Sequence, residues 1–181
     1  MSNKMSKKYN RFLWATIVIG IAFSTALLIT SCKPKEIDLT FETIEQKEWA
    51  GTGQSYEARE PGSIVISSLQ DIANLDKLVT DEAMTQLQEL DYDNYFVLVV
   101  FQGRKPTTGY RVQIDHITRT GKIINVYTQF LEPKPDEAKA DAITSPYHLV
   151  QVQKIGEWGQ EISFQVIVNE TIVTSLSYFI P

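Results

Sequence analysis

Residue types that commonly do chemistry are sparse in this chain, which has one cysteine and two histidines among 181 residues. Nucleophilic catalysis requires a nucleophile, a base close to it and a group that orients the base. His116 and His148 lie in alternating stretches typical of β-strands, and neither adjoins a serine in a strand-to-helix turn. We therefore expect two structural histidines, no catalytic residues and no enzyme.

Metal and phosphate sites are not indicated either. Asp91 and Asp93 resemble the start of a calcium-binding loop, but Phe96 stands where such a loop needs glycine and Gln102 where it needs glutamate. The pair is better explained as a solvent-exposed turn. The Gly51-Thr-Gly53 segment lacks the other residues of a phosphate-binding fingerprint. The sequence thus predicts no metal and no cofactor.

The single cysteine, Cys32, ends an amino-terminal segment of a distinctive kind. No acidic residue occurs before Glu36, and an uncharged run from Phe12 to Ser31 leads directly into Cys32. Four basic residues precede this run: Lys4, Lys7, Lys8 and Arg11. The arrangement, with Leu-Ile-Thr-Ser before the thiol, resembles a bacterial lipoprotein signal peptide. We expect residues 1–31 to be removed and Cys32 to receive a diacylglyceryl group and an acyl chain such as palmitate.

Two alternatives stay open for this segment. Its apolar run reaches roughly 30 Å as a helix, which would suffice for an uncleaved membrane anchor, and a secretory peptide could also be cleaved elsewhere. Lipidation would place the protein in the bacterial cell envelope, held on a membrane outside the cytoplasm. Lys33 stands where inner-membrane lipoproteins carry aspartate, and this favours the outer membrane.

The processed chain would hold 150 residues, enough for one domain with a substantial core. Its 13 basic and 22 acidic residues give a net charge of −9, which argues against nucleic acid as a partner. We expect residues 32–40 to form the lipidated cysteine and a short polar tether, followed by a single domain over residues 41–181.

Most of this domain has the patterns of strands. Strands are predicted at 41–49, 63–67, 96–101, 110–115, 124–130, 147–154, 160–168 and 171–179. Hairpin turns are predicted at Gly121 and at Asn169-Glu170. A first short helix is expected after Ser68, with a capping box of Ser67 and Gln70, and a second from Thr80. The fold class is α+β: mainly antiparallel β, as a sandwich or a strongly twisted sheet, with one or two short helices.

The segment from Gly103 to Tyr110 predicts a short, stiff loop between two strands. Pro106 fixes its own φ angle, Thr107 and Thr108 can bond nearby backbone, and Gly109 permits a positive φ. A stiff loop loses little conformational entropy on binding, which suits recognition. A tight hairpin connection without any binding role explains the same residues equally well.

This loop also carries a resemblance to a known family. Phe101 through Tyr110, together with Thr144-Ser-Pro-Tyr147-His-Leu-Val150, resembles the carboxy-terminal domain of the PrcB-like proteins of protease complexes, over roughly residues 95–155. Members of that family are exported bacterial proteins or lipoproteins, and the founding type associates with a secreted protease and supports its complex. The resemblance implies a noncatalytic module that binds a protein or stabilises a protease complex.

An alternative hypothesis comes from the same loop. Pro106-Thr-Thr-Gly-Tyr110 is similar to the first loop motif of chagasin-type inhibitors of papain-like cysteine proteases, which are β-sandwich proteins that insert three loops into the active-site cleft. The Gly-x-Gly-Gly motif of those inhibitors and their Arg-Pro-Trp or Arg-Pro-Phe motif do not occur in this sequence. An inhibitor is therefore the alternative to a binding module.

The binding-module hypothesis predicts a contact surface that combines the loop with the nearby Ser145–Tyr147 turn, whereas the inhibitor hypothesis uses the loop. The expected contact residues are Pro106, Thr107, Thr108, Gly109, Tyr110, Pro146 and Tyr147. Tyr110 and Tyr147 should be the anchors because aromatic residues dominate interface energetics. The partner would be an exported protease or another envelope protein.

Overall fold

A computed structural model describes residues 35–48 and 56–181. The predicted signal peptide, residues 1–31, and the predicted lipidation site Cys32 lie outside the described residues. Lys35–Pro181 form one compact unit. Its strands are β1 (Glu36–Leu39), β2 (Phe41–Lys47), β3 (Gly62–Ile66), β4 (Tyr95–Phe101), β5 (Arg111–Thr120), β6 (Ile123–Leu131), β7 (Tyr147–Gln153), β8 (Gln160–Val168) and β9 (Thr171–Ile180). Between β3 and β4 lie a 3₁₀ helix (Leu69–Leu75) and an α-helix, α1 (Asp81–Glu89).

The strands form two sheets. Sheet A has the strand order β1-β5-β6-β8-β9, and sheet B has the order β2-β7-β4-β3. Neighbouring strands are antiparallel, except that β6 and β8 are parallel. This one parallel pair arises because the chain leaves sheet A after β6 and passes through sheet B as β7 before it returns as β8. The α+β, sandwich-like fold class is confirmed.

The main core lies between the two sheets, and a second core lies between sheet B and the helices. In β4 the even-numbered residues belong to the first core and the odd-numbered ones to the second. Phe96 meets Phe164 of sheet A edge-on, with 5.7 Å between ring centroids, while Val97 shares its cluster with Leu75 and Leu87. Because both faces of β4 are covered, residues 96–101 are apolar at every position, as predicted. Each of these buried side chains contributes about 1.5–3 kcal/mol to stability.

The two helices begin with different caps. The second helix, α1, begins where it was predicted, and Thr80 caps it: its hydroxyl oxygen accepts the amide hydrogen of Ala83 at 3.2 Å. The predicted capping box of Ser67 and Gln70 does not form. Asp71 takes that role, accepting from the hydroxyl of Ser68 at 2.7 Å and from the amide of Ser67 at 3.2 Å.

The two predicted hairpin turns are present. Asn169 and Glu170 join β8 to β9 with φ angles of 48° and 64°, the left-handed pair that a two-residue hairpin of type I′ requires. Gly121 joins β5 to β6 with a φ angle of 60°. Gly121 and Asn169 belong to the residue types that adopt positive φ angles readily, whereas Glu170 does not.

The predicted tether over residues 32–40 is too long. Glu36–Leu39 form strand β1, which pairs with β5 from Glu36 opposite Thr120 to Leu39 opposite Ile117. Leu39 is buried in the core between the sheets, and this burial holds an otherwise polar segment against the domain. Among the described residues, none belongs to a helix with the length and apolar character needed to cross a membrane.

Candidate functional site

Two connections pass between the sheets at the same end of the sandwich. The first crossover (residues 102–110) leads from β4 in sheet B to β5 in sheet A, and the second crossover (residues 132–146) leads back from β6 to β7. They are joined by a pair of backbone hydrogen bonds between Lys105 and Thr144, at 2.8 and 3.0 Å. The structure therefore brings the Pro106–Tyr110 loop beside the Ser145–Tyr147 turn.

The threonines add further bonds between the crossovers. Thr108 donates its amide hydrogen to the carbonyl of Ala140 at 3.1 Å and accepts the Ala140 amide hydrogen on its hydroxyl at 3.0 Å. The Thr144 hydroxyl donates to the carbonyl of Thr107 at 3.0 Å. Of the two threonine hydroxyls that were expected to bond nearby backbone, that of Thr108 bonds backbone, but its partner belongs to the second crossover, 32 residues away. These bonds make the first crossover a fixed surface rather than a loose connection.

Gly109 closes the first crossover with the positive φ that the sequence predicts, 97°. Its amide hydrogen is donated to a carboxylate oxygen of Glu48, at the end of β2, at 3.0 Å. A Cβ atom at this position would lie 2.7 Å from Cβ of Pro133 in the second crossover. Only glycine fits both the backbone angle and the close contact.

The two residues predicted from the Ser145–Tyr147 turn do not reach the surface. Pro146 is buried, and Tyr147 is 1% exposed and packs among the residues between sheet B and the helices. The Tyr147 hydroxyl donates a hydrogen bond to Glu45, which also accepts from the Thr80 hydroxyl at 2.6 Å and pairs with Lys47 at 2.9 Å. The prediction that Tyr147 anchors a partner is wrong, because its side chain is buried. Tyr147 instead stabilises the strand end next to the site.

This buried cluster keeps Glu45 ionised. Burial by itself would raise the pKa of Glu45, but hydrogen bonds from Thr80, Tyr147 and Lys47 outweigh it and hold the pKa below its usual value. Burial and the Glu45 carboxylate together raise the pKa of the Tyr147 hydroxyl, which stays protonated and donates. The cluster links β2, the start of α1 and the start of β7. It therefore fixes the start of β7, next to the Ser145–Tyr147 turn.

The remaining predicted contact residues are accessible. Pro106 is exposed, and Thr107, Thr108, Gly109 and Tyr110 are half-buried. The ammonium group of Lys105 lies 5.5 Å from the centre of the Tyr110 ring, which holds the ring against the loop by a cation–π contact. Tyr110 is thus the accessible aromatic residue of the predicted pair.

An open pocket of about 340 Å³ adjoins Pro106, and sequence reasoning missed most of its lining. Its other lining residues are Arg59, Arg104, Lys105 and Ile143. Arg104 is positioned by its amide hydrogen, which is donated to the carbonyl of Ala58 at 2.8 Å. One signal in the sequence could have found part of this pocket: Arg104-Lys105 is a pair of cations at the start of the stiff loop of an acidic chain.

His148 is a buried structural residue, whereas His116 is exposed. His148 is 4% exposed; its Nδ1 accepts the amide hydrogen of Ile114 at 2.9 Å, and its Nε2 lies 2.8 Å from the Thr43 hydroxyl. Burial lowers the pKa of His148 to about 4, so its ring is neutral at physiological pH. His116 is exposed on sheet A and stacks on Tyr127, with ring centroids 4.1 Å apart. Over residues 35–48 and 56–181, no three His, Cys, Asp or Glu side chains are grouped so as to hold a metal ion.

Residues 96–153 match the family model described as PrcB C-terminal. The matched segment runs from β4 to the end of β7 and so contains both crossovers. The match confirms the resemblance read from the loop and turn motifs, and the family is of an accessory, noncatalytic type. Comparisons with curated proteins and with solved structures gave no significant match.

Proposed function

We propose that this chain, which carries a PrcB-like carboxy-terminal domain at residues 96–153, is a lipid-anchored bacterial envelope protein that binds another protein without catalysing a reaction. The partner is an exported protease or another component of a protease complex. The observation that carries this proposal is the joining of the two motif-bearing crossovers by the Lys105–Thr144 bridge. A surface fixed by backbone hydrogen bonds binds a partner at low entropic cost.

The position of the site in the domain supports this function. Glu36, at the start of β1, lies opposite Thr120 at one end of β5, whereas Arg111 at the other end of β5 adjoins the first crossover. Ten residues of strand separate these ends by about 30 Å. A chain held on a membrane through Cys32 would therefore enter the domain at one end and present the crossovers at the other, toward proteins outside that membrane.

The anchor and the contact surface are tested separately. Cys32→Ala should move the protein from the detergent phase to the aqueous phase in a phase-partitioning assay. Unchanged partitioning would mean that the apolar run before Cys32 is itself the anchor.

For the contact surface, a photo-reactive amino acid replaces the exposed Pro106 in intact cells, and Lys122 at the opposite end of the domain serves as the control. A single protein should crosslink at position 106 and not at position 122. If neither position, or both positions alike, crosslink that protein, the crossovers are only connections between strands.

The inhibitor alternative gives a different result in vitro. Titration of the full chain against a papain-like protease should leave the protease active if the protein is a binding module. Stoichiometric, tight inhibition that disappears in Gly109→Val would assign the loop to inhibition instead.

A further inference from the structure

The pocket beside Pro106 concentrates positive charge on an acidic protein. Three of its five lining residues are cations, Arg59, Arg104 and Lys105, and no acidic residue lines it. The whole sequence has a net charge of −5. A local field of opposite sign to the net charge selects partners by their charge.

The cations come from separate parts of the chain and are held together by backbone contacts. Arg104 is tied to Ala58 by the hydrogen bond of its amide, so that Arg59 comes to lie beside it. The approach is close, since a Cβ atom on Gly103 would lie 2.2 Å from the carbonyl oxygen of Arg59. Lys105 is fixed by its bridge to Thr144, which also places Ile143 at the pocket.

In the described residues, folding pairs only one of the three cations with an acid. The nearest carboxylate to Arg104 is that of Glu57, 3.9 Å away on a side chain that is 82% exposed. In residues 35–48 and 56–181, no ion pair joins Arg59 or Lys105 to an acid. Glu60 follows Arg59 in the chain and points no carboxylate into the pocket lining.

We propose that this pocket receives an acidic segment of the partner protein, with a carboxylate between Arg59 and Arg104 and an apolar side chain against Pro106 and Ile143. Guanidinium groups bind carboxylates through paired hydrogen bonds, and Ile143 is 59% exposed, which gives the segment an apolar contact. This inference rests on the proposed function, because it names the chemistry that the same surface recognises.

The competing anionic ligand is a lipid headgroup, and the position of the pocket argues against it. The pocket belongs to the crossover end of the sandwich, about 30 Å along β5 from the end at which Glu36 begins the domain. Electrostatic attraction to a membrane surface fades within about 10 Å at physiological salt. If the chain is anchored through Cys32 as proposed, with the β1 end of the domain next to the membrane, this attraction would not reach the pocket.

The test uses the full chain in nonionic detergent and two fluorescein-labelled peptides. One peptide alternates glutamate and leucine, and the matched peptide has glutamine in place of glutamate. Fluorescence anisotropy should show that the acidic peptide binds at least about tenfold more tightly than the neutral one and that its affinity falls as salt is raised. The double variant Arg59→Gln, Arg104→Gln should lose this preference, whereas Lys122→Gln, at the far hairpin turn, should keep it.

Three results would overturn the inference. They are equal binding of the two peptides, an unchanged preference in the double variant, and displacement of the acidic peptide by soluble dihexanoyl phosphatidylglycerol, which would assign the pocket to lipid. Circular dichroism of the double variant checks that its fold is retained; if it unfolds, the single variants Arg59→Lys and Arg104→Lys must each weaken the acidic peptide. In cells, crosslinking at position 106 that persists in the double variant would refute the acidic-segment inference. It would remain consistent with the proposed binding function. Absence of crosslinking in the unaltered chain would refute the binding function itself.

Discussion

Mild acidification should destabilise this protein through His148. The ring lies in the core, where its Nδ1 is the acceptor for the amide hydrogen of Ile114 and its Nε2 contacts the hydroxyl of Thr43. Burial lowers the pKa of His148 from 6.5 to about 4. Protonation would put a charge among apolar residues and would remove the acceptor that Ile114 uses.

The size of the effect follows from the two pKa values. The unfolded chain binds this proton more tightly than the folded one, so the stabilisation is complete above the unfolded pKa of about 6.5 and is lost as the pH falls toward the folded pKa of about 4. At about 1.4 kcal/mol per pKa unit, the full loss is about 3 kcal/mol, of which about 2 kcal/mol has gone by about pH 5. For a domain of this size, 2 kcal/mol lowers the midpoint temperature of unfolding by about 4–8 °C.

The assay is thermal unfolding of the full chain in nonionic detergent, followed by circular dichroism from about pH 7.5 to about pH 5. His148→Gln should be less stable at neutral pH and should show a flatter pH dependence. His116→Gln, which changes an exposed ring, should keep the full decline. Burial would raise the pKa values of Glu45 and Asp71, but hydrogen bonds from neighbouring side chains and backbone outweigh it and lower them. These carboxylates therefore bind protons only below this pH range.

Two results would refute this reasoning. One is a decline between these pH values that is the same in His148→Gln as in the unaltered protein. The other is an ordinary pKa near 6.5 for His148 in a nuclear magnetic resonance titration.

Four further substitutions, one of them a control, test individual contacts that stabilise the fold, by denaturant unfolding at neutral pH. Tyr147→Phe removes a donor to buried Glu45 and should cost about 1.5–3 kcal/mol; a loss under about 0.5 kcal/mol would mean that this bond does not support the turn. Gly103→Ala adds a Cβ atom 2.2 Å from a backbone oxygen at a φ angle of 84° and should cost at least about 2 kcal/mol. Gly159→Ala, with a positive φ but no atom within 4 Å, should cost clearly less, and equal losses would contradict the clash. Arg119→Lys leaves carbonyl oxygens unpaired where the guanidinium now donates to three of them and should cost about 1–3 kcal/mol; unchanged stability would show that one ammonium group suffices.

Much of the fold could be predicted from the sequence because the signals are local. The apolar run at residues 96–101 predicts a strand covered on both faces, and the structure has β4 there. Asn169 and Gly121 adopt positive φ angles that their residue types favour, whereas Glu170 adopts one against its residue preference. Gly109 predicts the positive φ of the loop for the same reason, whereas the bonds of the two threonines reach the second crossover and depend on the tertiary structure.

The tether and the turn could not be predicted, because their structure depends on partners distant in the chain. Leu39 becomes part of strand β1 only because β5 is next to it to pair with. Tyr147 belongs to a motif that is easy to recognise, but its burial depends on the helices that cover this face of sheet B and on Glu45, about a hundred residues earlier in the chain. Whether a turn between strands is exposed or buried depends on which other elements pack over it. Local residue preferences do not indicate those elements.

By itself, the sequence determined where most strands begin and end, which turns are tight and which loop is stiff, because backbone sterics act over a few residues. Only the tertiary structure decided which strands share a sheet, that both crossovers meet through Lys105 and Thr144, and that Arg59 joins Arg104 in one pocket. Those outcomes depend on burying both apolar cores at once, one on each face of sheet B. That requirement is satisfied by the whole chain together and by no segment alone.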